Sequence, residues 1–336
     1  MTVGDLGEFG AVSRISGRLP QGASVLLGPG DDAAVVSAPD GRVVVSTDLL
    51  LEGRHFRRHW SSGYDVGRKA AAQNLADIVA MGAVPTSVVV GLGMPADLPV
   101  DWLDGLADGF RDECAVVGAS VVGGDTTRGE RVVIGVTALG DLGGRAPVTR
   151  AGARAGQVVA VAGRLGHAAA GLALLEAGWL EGLAERAAGE GGFEAGEALD
   201  GDPLKALWEA VEAHRQPRPP YACGPEAAEL GASAMLDVSD GLLQDLGHVA
   251  KASGVRVELD PARFAVGEPV AAAAKLLGND PLDWILGGGE DHALAAVFPP
   301  AVSLPPAWRI VGDVTAGQGV VVPGRETTHA GWDHFA

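Results

Sequence analysis

Leu26 to Asp48 reads L-L-G-P-G-D-D-A-A-V-V-S-A-P-D-G-R-V-V-V-S-T-D, and the remainder of the chain is organised around it. Two runs of small and β-branched residues, Ala33–Val36 and Val43–Ser46, flank Pro39, Asp40 and Gly41, the composition of a hairpin with a tight turn. With Val36 opposite Val43, antiparallel register sets Asp32 across from Thr47 and Asp31 across from Asp48, so three carboxylates gather at one end. Like charges facing each other on a sheet are destabilising, and a hard divalent cation such as Mg2+, which takes oxygen ligands, reverses that sign. Turn capping by the same aspartates is the alternative, because Gly-Asp and Pro-Asp are ordinary turn signals. The stretch by itself leaves both readings open.

At 336 residues the chain has room for two domains, and 47% hydrophobic with 20% charged residues describes a globular protein rather than a disordered one. The net charge of −18 argues against a nucleic-acid partner, since phosphate backbones are bound through basic patches. An acidic protein acting on anionic substrates needs cations between the two. No apolar run reaches membrane-spanning length, and Met1–Gly10 lacks the regions of a signal peptide, so the cytosol is the expected location. Cys114 and Cys223 form neither a disulfide framework nor a zinc motif.

Outward from the hairpin, Phe9, Val12 and Ile15 predict a helix over Glu8–Ile15. After it, Gly53 interrupts the apolar run Leu49–Phe56 and His55 follows, a lone histidine that suits packing as readily as function. Asp65–Met81 reads as an alanine-rich helix with an N-cap at Asp65 and Gly82 past its end. Asp77 sits near its C-terminus, where the macrodipole disfavours a negative charge, which hints at a role beyond a solvated face. A strand over Val84–Met94 and a helix over Val100–Val117 follow. Ala119–Gly140 reads as strand, glycine turn, strand. Gly123 and Gly124 would let the backbone approach a ligand, and Asp125, Thr126 and Thr127 supply oxygens. The lysine of a P-loop is missing here.

A boundary near Gly143–Gly156 divides the chain into 1–145 and 146–336. Leu180–Asp202, rich in Ala, Gly and Glu, is expected to be a mobile surface segment, and His214–Pro220 a turn-forming linker. Ala234–Gly254 switches from buried strand to amphipathic helix at Ser239–Asp240, with Asp237 and Ser239 on one strand face. Asp240 as an N-cap explains that residue but not Asp237, a second acid within an apolar strand. Trp284–Leu294 repeats the theme, three glycines and then Glu290 and Asp291, and the chain ends with Trp332 and Phe335 in an aromatic pair suited to packing.

The set G-D-D-A-A (30–34), S-T-D-x-L-x-E-G-x-H-F (46–56), N-L-A-D-I-x-A-M-G (74–82), G-G-D-T-T-R-G (123–129), L-D-V-S-D-G-L (236–242), G-G-G-E-D (287–291) and W-D-H-F (332–335), in this order, closely resembles the thiamine-monophosphate kinase family. That family lies within the ATP-binding superfamily of aminoimidazole ribonucleotide synthetase, and the resemblance runs from Glu8 to Phe335. It implies an α/β (α+β) chain of two domains: an N-terminal mixed sheet with helices on one side, and a C-terminal α/β domain completing the substrate site. It also implies ATP and several Mg2+ ions in a cleft and homodimers formed through the N-terminal sheets.

Carried over by position, the resemblance makes Asp32, Ser46, Thr47, Asp48, Asp77, Asp125, Asp237 and Asp240 the metal-binding set, with Asp48, Asp125 and Asp237 acting on the reaction through the metal. Gly124, Asp125, Arg150 and Ser239 become nucleotide contacts, and His55, Glu290 and Trp332 contacts to thiamine monophosphate. Asp31 is not the family's usual ligand, which sets the hairpin register against the family pattern. One departure stands out: the family usually continues G-G-E-D with Tyr-Glu-Leu, and this chain has His292, Ala293 and Leu294. The implied reaction is direct transfer of the γ-phosphoryl of ATP onto thiamine monophosphate, with metal ions offsetting the repulsion between two phosphates. The rivals are a ring-closing ligase or a selenophosphate synthetase of the same superfamily, and a non-catalytic nucleotide-binding protein. The selenophosphate enzyme uses an N-terminal Cys or selenocysteine, and here no Cys precedes Cys114.

Overall fold

The computed structural model describes residues 1–29, 33–180, 182, 202–325 and 331. Asp31, Asp32, residues 183–201, Trp332 and Phe335 lie outside the described residues, and with them the expectations placed on them. The chain forms two compact units, Met1–Val148 with Tyr221–Glu229, and Thr149–Pro220 with Leu230–Ala336.

The first unit begins with α1 (Val3–Ser16), which is broken at Gly7 (φ 67°): a short first piece, capped by Thr2 and Asp5 in a capping box, precedes the helix expected from Glu8. Its sheet runs β3 (Val44–Leu51), β6 (Val133–Asp141), β4 (Val84–Met94), β5 (Ser120–Arg128). β6 is antiparallel to both neighbours, and β4 and β5 are parallel, so the sheet is mixed.

The expected hairpin is not there. β3 pairs with β6 along its whole length, Val44 opposite Gly140 through Leu51 opposite Val133. β2 (Val35–Val36) turns instead to β1 (Val25–Leu27), with Val36 opposite Val25. An eight-residue strand satisfies far more of its backbone groups against β6 than against a two-residue strand, and that decides the pairing. Thr47 therefore faces Thr137, and Asp48 faces Val136.

The β4–β5 crossover is α3 (Val100–Val117), which packs on the same side as α2 (Gly63–Ala80). α2 is capped three residues earlier than expected: Ser62 is the N-cap and Asp65 is its reciprocal partner three residues on, so Asp65 is no N-cap itself. The two helices cross with backbones nearly touching, and a Cβ on Gly67 would stand 2.2 Å from Leu106 O. Between them Arg68 on α2 pairs with buried Glu113 on α3, whose other oxygen accepts the Tyr221 hydroxyl at 2.6 Å. That bond helps tie Tyr221–Glu229 to the first unit.

Gly123 and Gly124 also depart from expectation, lying inside β5 rather than in a turn; the turn comes later, between Arg128 and Val133.

The second unit is built on a six-stranded sheet. Its order is β12 (Gly319–Val321), β9 (Arg256–Leu259), β11 (Trp308–Thr315), β7 (Val158–Ala162), β10 (Ala293–Phe298), β8 (Ala234–Val238). Only β12 with β9 is parallel among these pairs. β8 and β10 are buried at every position, as a strand covered on both faces must be. Leu236, Val238, Leu242, Leu246, Val257 and Val297 belong to the core that fixes β8 and the helix after it, Leu242–Ser253. The fold is α/β (α+β), with a mixed N-terminal sheet carrying its helices on one side.

Candidate active site

In the first unit the acids follow from strand alternation. Along β3, Ser46 and Asp48 point toward α2, while Val45, Thr47 and Leu49 point away. Ser46 Oγ donates to Asp77 Oδ2 at 2.6 Å, and Gln73 Nε2 on α2 donates to Asp48 Oδ2 at 3.3 Å. Asn74 Oδ1 accepts the Asp48 amide at 3.1 Å. Asp77 thus stands on the face of α2 that meets β3, which is why a carboxylate survives near the helix C-terminus. Thr47 is not brought to this group: its hydroxyl donates to Val136 O at 2.9 Å on the opposite face.

Asp125 is placed elsewhere on the same sheet. Register runs from Asp48 through Val136 and Val90 to Gly124, and from Leu49 through Gly135 and Gly91 to Asp125. Asp48 and Asp125 are on opposite edges, roughly 14 Å apart at the spacing of strands, and their rows face opposite sides of the sheet. A Cβ on Gly124 would lie 2.0 Å from Val90 O, so the close approach this glycine permits is to the neighbouring strand. His55 ends a turn after β3; its Nδ1 accepts the Leu51 amide at 3.0 Å, which leaves the ring proton on Nε2.

In the second unit two motifs close on each other. Ser239 O accepts the Glu290 amide at 2.8 Å and Val238 O accepts the His292 amide at 3.0 Å, so L-D-V-S-D-G-L and G-G-G-E-D-H form one surface. Glu290 and His292 both hold left-handed backbone, φ 65° and 51°. Such strain persists only when surrounding contacts hold it. Here Glu290 Oε2 lies 3.2 Å from Nδ1 of buried His214, and Asp291 Oδ1 accepts the Ala168 amide at 3.0 Å, at the start of α4 (His167–Glu176). The third contact is between two buried residues, with His292 Nδ1 3.0 Å from Asp237 Oδ2. The departure from the family pattern therefore places an imidazole on the Asp237 carboxylate.

The N-cap reading of Asp240 does not hold. The helix begins at Leu242, and Asp245 Oδ2 accepts the amides of Asp240 (3.0 Å) and Gly241 (3.1 Å). Burial, then the charges of Asp237 and Asp240, push the Asp245 carboxyl up to about 7. Arg150 is exposed, its carbonyl accepting Ser253 Oγ at 3.2 Å.

Asp245 and His214 were not legible as site residues, and His292 showed only as a departure from the family pattern. For Asp245 the signal in the chain was the spacing of three acids at 237, 240 and 245.

Among the described residues no three of His, Cys, Asp and Glu gather closely enough to hold a metal ion by themselves. The residues nonetheless suit a hard cation. The donors are oxygens throughout, and the crowding of Asp237, Asp240 and Asp245 is a charge repulsion that a cation would relieve. Mg2+ is commonly held by one or two carboxylates, with waters and substrate phosphates completing the shell.

Mixed α/β units that carry carboxylates along their strands and on an adjoining helix describe an AIR-synthase-like class, and residues 30–142 match the family model "AIR synthase related protein, N-terminal domain". The thiamine-monophosphate kinase of Mycobacterium tuberculosis is 49% identical over 99% of this chain and 93% of its own length. That of Corynebacterium glutamicum is 41% identical over 94% and 88%. A solved structure of AaThiL complexed with AMPPCP and TMP has a TM-score of 0.76 at 30% identity, covering 100% of this chain and 99% of that one. The chain belongs to the thiamine-monophosphate kinase family.

Proposed function

We propose that this chain transfers the γ-phosphoryl group of ATP onto the phosphate of thiamine monophosphate, giving thiamine diphosphate and ADP, in a direct, in-line, Mg2+-assisted step. The observation that carries the reading is the full-length match to AaThiL complexed with AMPPCP and TMP, in which AMPPCP stands in for ATP. When bound, Mg2+ would offset the charge of two phosphates that must come to bonding distance.

In the first unit Ser46, Asp48 and Asp77 are the residues proposed to hold Mg2+, and in the second Asp237 and Asp240 are proposed to hold a cation there. Because the acceptor phosphate is already an anion at neutral pH, no side chain has to create the nucleophile. The protein's work is alignment and charge compensation. Ser239 and Gly124 line the backbone surfaces assigned to the nucleotide. His55 offers its Nε2–H as a donor to a phosphate oxygen, its other nitrogen being occupied by Leu51. The Glu290 carboxylate suits the positive charge of the thiazolium.

A homodimer formed through the first unit's sheet is part of the proposal. Its support is the apolar side of β3, where Val45 is 63% and Leu49 61% exposed. Asp125 shares that side with Leu49, and we assign it to a site completed by the second copy. Each unit then supplies contacts to nucleotide and Mg2+, the first also carries the dimer face, and the second carries Glu290 for thiamine monophosphate. No helix among the described residues is long and apolar enough to cross a membrane. The cytosol, where ATP is kept, is the proposed location.

Incubation with ATP, Mg2+ and thiamine monophosphate should yield thiamine diphosphate, and a folded protein giving none would refute the assignment. ATP chiral at the γ-thiophosphate should give inversion at phosphorus. Retention would mean a covalent phosphoenzyme.

A further inference from the structure

We propose that His292 is a positioning residue that fixes the Asp237 carboxylate for cation binding, an inference that rests on the reading of Asp237 given above. Asp237 sits on β8, which among the described residues is an edge strand paired with β10, where Asp237 lies opposite Leu294. Its side chain is buried, and a buried carboxylate is held in one orientation only if a donor takes one of its oxygens. His292 Nδ1 stands 3.0 Å from Oδ2, and since a carboxylate only accepts, Nδ1 carries the proton. The bond occupies Oδ2 and directs Oδ1 elsewhere, so that Asp237 offers a cation one oxygen in a fixed direction.

The backbone argues that this placement is held by design rather than by default. At φ 51° His292 occupies a region that most side chains avoid and that His, Asn and Asp enter more readily. The His292 amide donates to Val238 O at 3.0 Å, extending the β8–β10 ladder by one residue. That bond ties the ring's own backbone to the strand bearing its partner. The same turn carries Glu290, so one strained segment sets both a cation ligand and a substrate contact.

The test uses three variants of the full-length protein. H292G suits the left-handed backbone and removes the donor. H292N also suits that backbone and returns a donor, Nδ2, at nearly the same reach as Nδ1. D237N is measured beside them. The readouts are Mn2+ and Mg2+ affinity by titration calorimetry in the presence of AMPPCP, thermal midpoint, and kcat separated from the KM for thiamine monophosphate.

H292G should weaken cation affinity roughly 10- to 100-fold, the range seen when a residue orienting a metal ligand is lost. Its KM for thiamine monophosphate should move about twofold or less, and H292N should recover most of the lost affinity. A merely structural histidine would lower the thermal midpoint of H292G and leave the cation affinity of the folded protein alone, which overturns the inference. Loss in D237N without loss in H292G overturns it while sparing the Asp237 reading. No loss in either removes both. Should H292G prove too unstable to purify, H292A takes its place. Its methyl group neither donates nor carries charge, so unchanged affinity there is equally decisive.

Discussion

The two sheets of this chain differ in what covers them. The four-stranded sheet carries α2 and α3 on one side and leaves Val45, Leu49 and Leu51 in solvent on the other. The six-stranded sheet has strands, β8 and β10, with no exposed position at all. Their acids differ in step. Asp48 and Asp77 are half-buried and meet neutral hydroxyl and amide partners, whereas Asp237, Asp245 and Asp291 are buried and held by an imidazole or by backbone amides. An open sheet can recruit a second copy but cannot hold a strained turn. A closed one can hold strained geometry because packing on every side resists relaxation.

The largest effect should come from the acids themselves. D48N and D237N should each lower kcat/KM by roughly 100-fold or more, beyond what loss of an orienting partner costs, with little change in thermal midpoint. A mixed dimer of D48N and D125N chains sharpens the contrast between sheets. If Asp125 serves the second copy's site, one site of the two is wild type and activity returns toward half, and if both acids serve one chain the mixture stays inactive. Sedimentation and product assays on the purified mixed dimer read this directly.

Next in size is the pair that joins α2 to α3, half-buried Arg68 and buried Glu113. E113A strands Arg68 and the Tyr221 hydroxyl, and should cost about 3–5 kcal/mol in denaturant unfolding. Smaller is the titration of Asp291. Burial pushes its carboxyl from the ordinary 3.8 up to about 6, against the amides of Ala168 and Gly166 and the charge of Arg164. The unfolded chain therefore releases this proton first as pH rises. Stability associated with the group is whole below pH ~4 and is lost up to pH ~6, by at most about 3 kcal/mol. Unfolding curves of wild type and D291N should diverge across that window, the wild type falling relative to the variant. Smallest is L49E on the open face, which should weaken self-association about 10-fold, seen by sedimentation, with unfolding of the isolated chain nearly unchanged.

How much of this was legible in the sequence differs in the same way. β4 and α3 were placed to the residue, since period-two and helical apolar patterns with clear turn residues at their ends are local signals. The hairpin failed because β-branched runs announce strands without naming partners, and the partner of β3 lies some ninety residues on, in β6. Asp125 carried the right residue type, yet its row and face depend on a register across three strands. His292 was visible only as a mismatch with the family pattern. Its meaning required Asp237, which is joined to it by the sheet and not by the chain. Asp245 was hidden for the reverse reason: it looks like any acid in a first helical turn until the amides of Asp240 and Gly241 are seen to end on it.

The path of Tyr221–Glu229 bears on how this gene can be divided. Because that short piece leaves the second unit's sequence and returns to the first, severing the polypeptide after Val148 would release a fragment lacking the phenol that caps Glu113. A viable half would have to carry those nine residues as a grafted tail. Recombination that swaps one unit for a relative's must therefore import two separate stretches together, and this couples the evolution of the two halves more tightly than a single linker would.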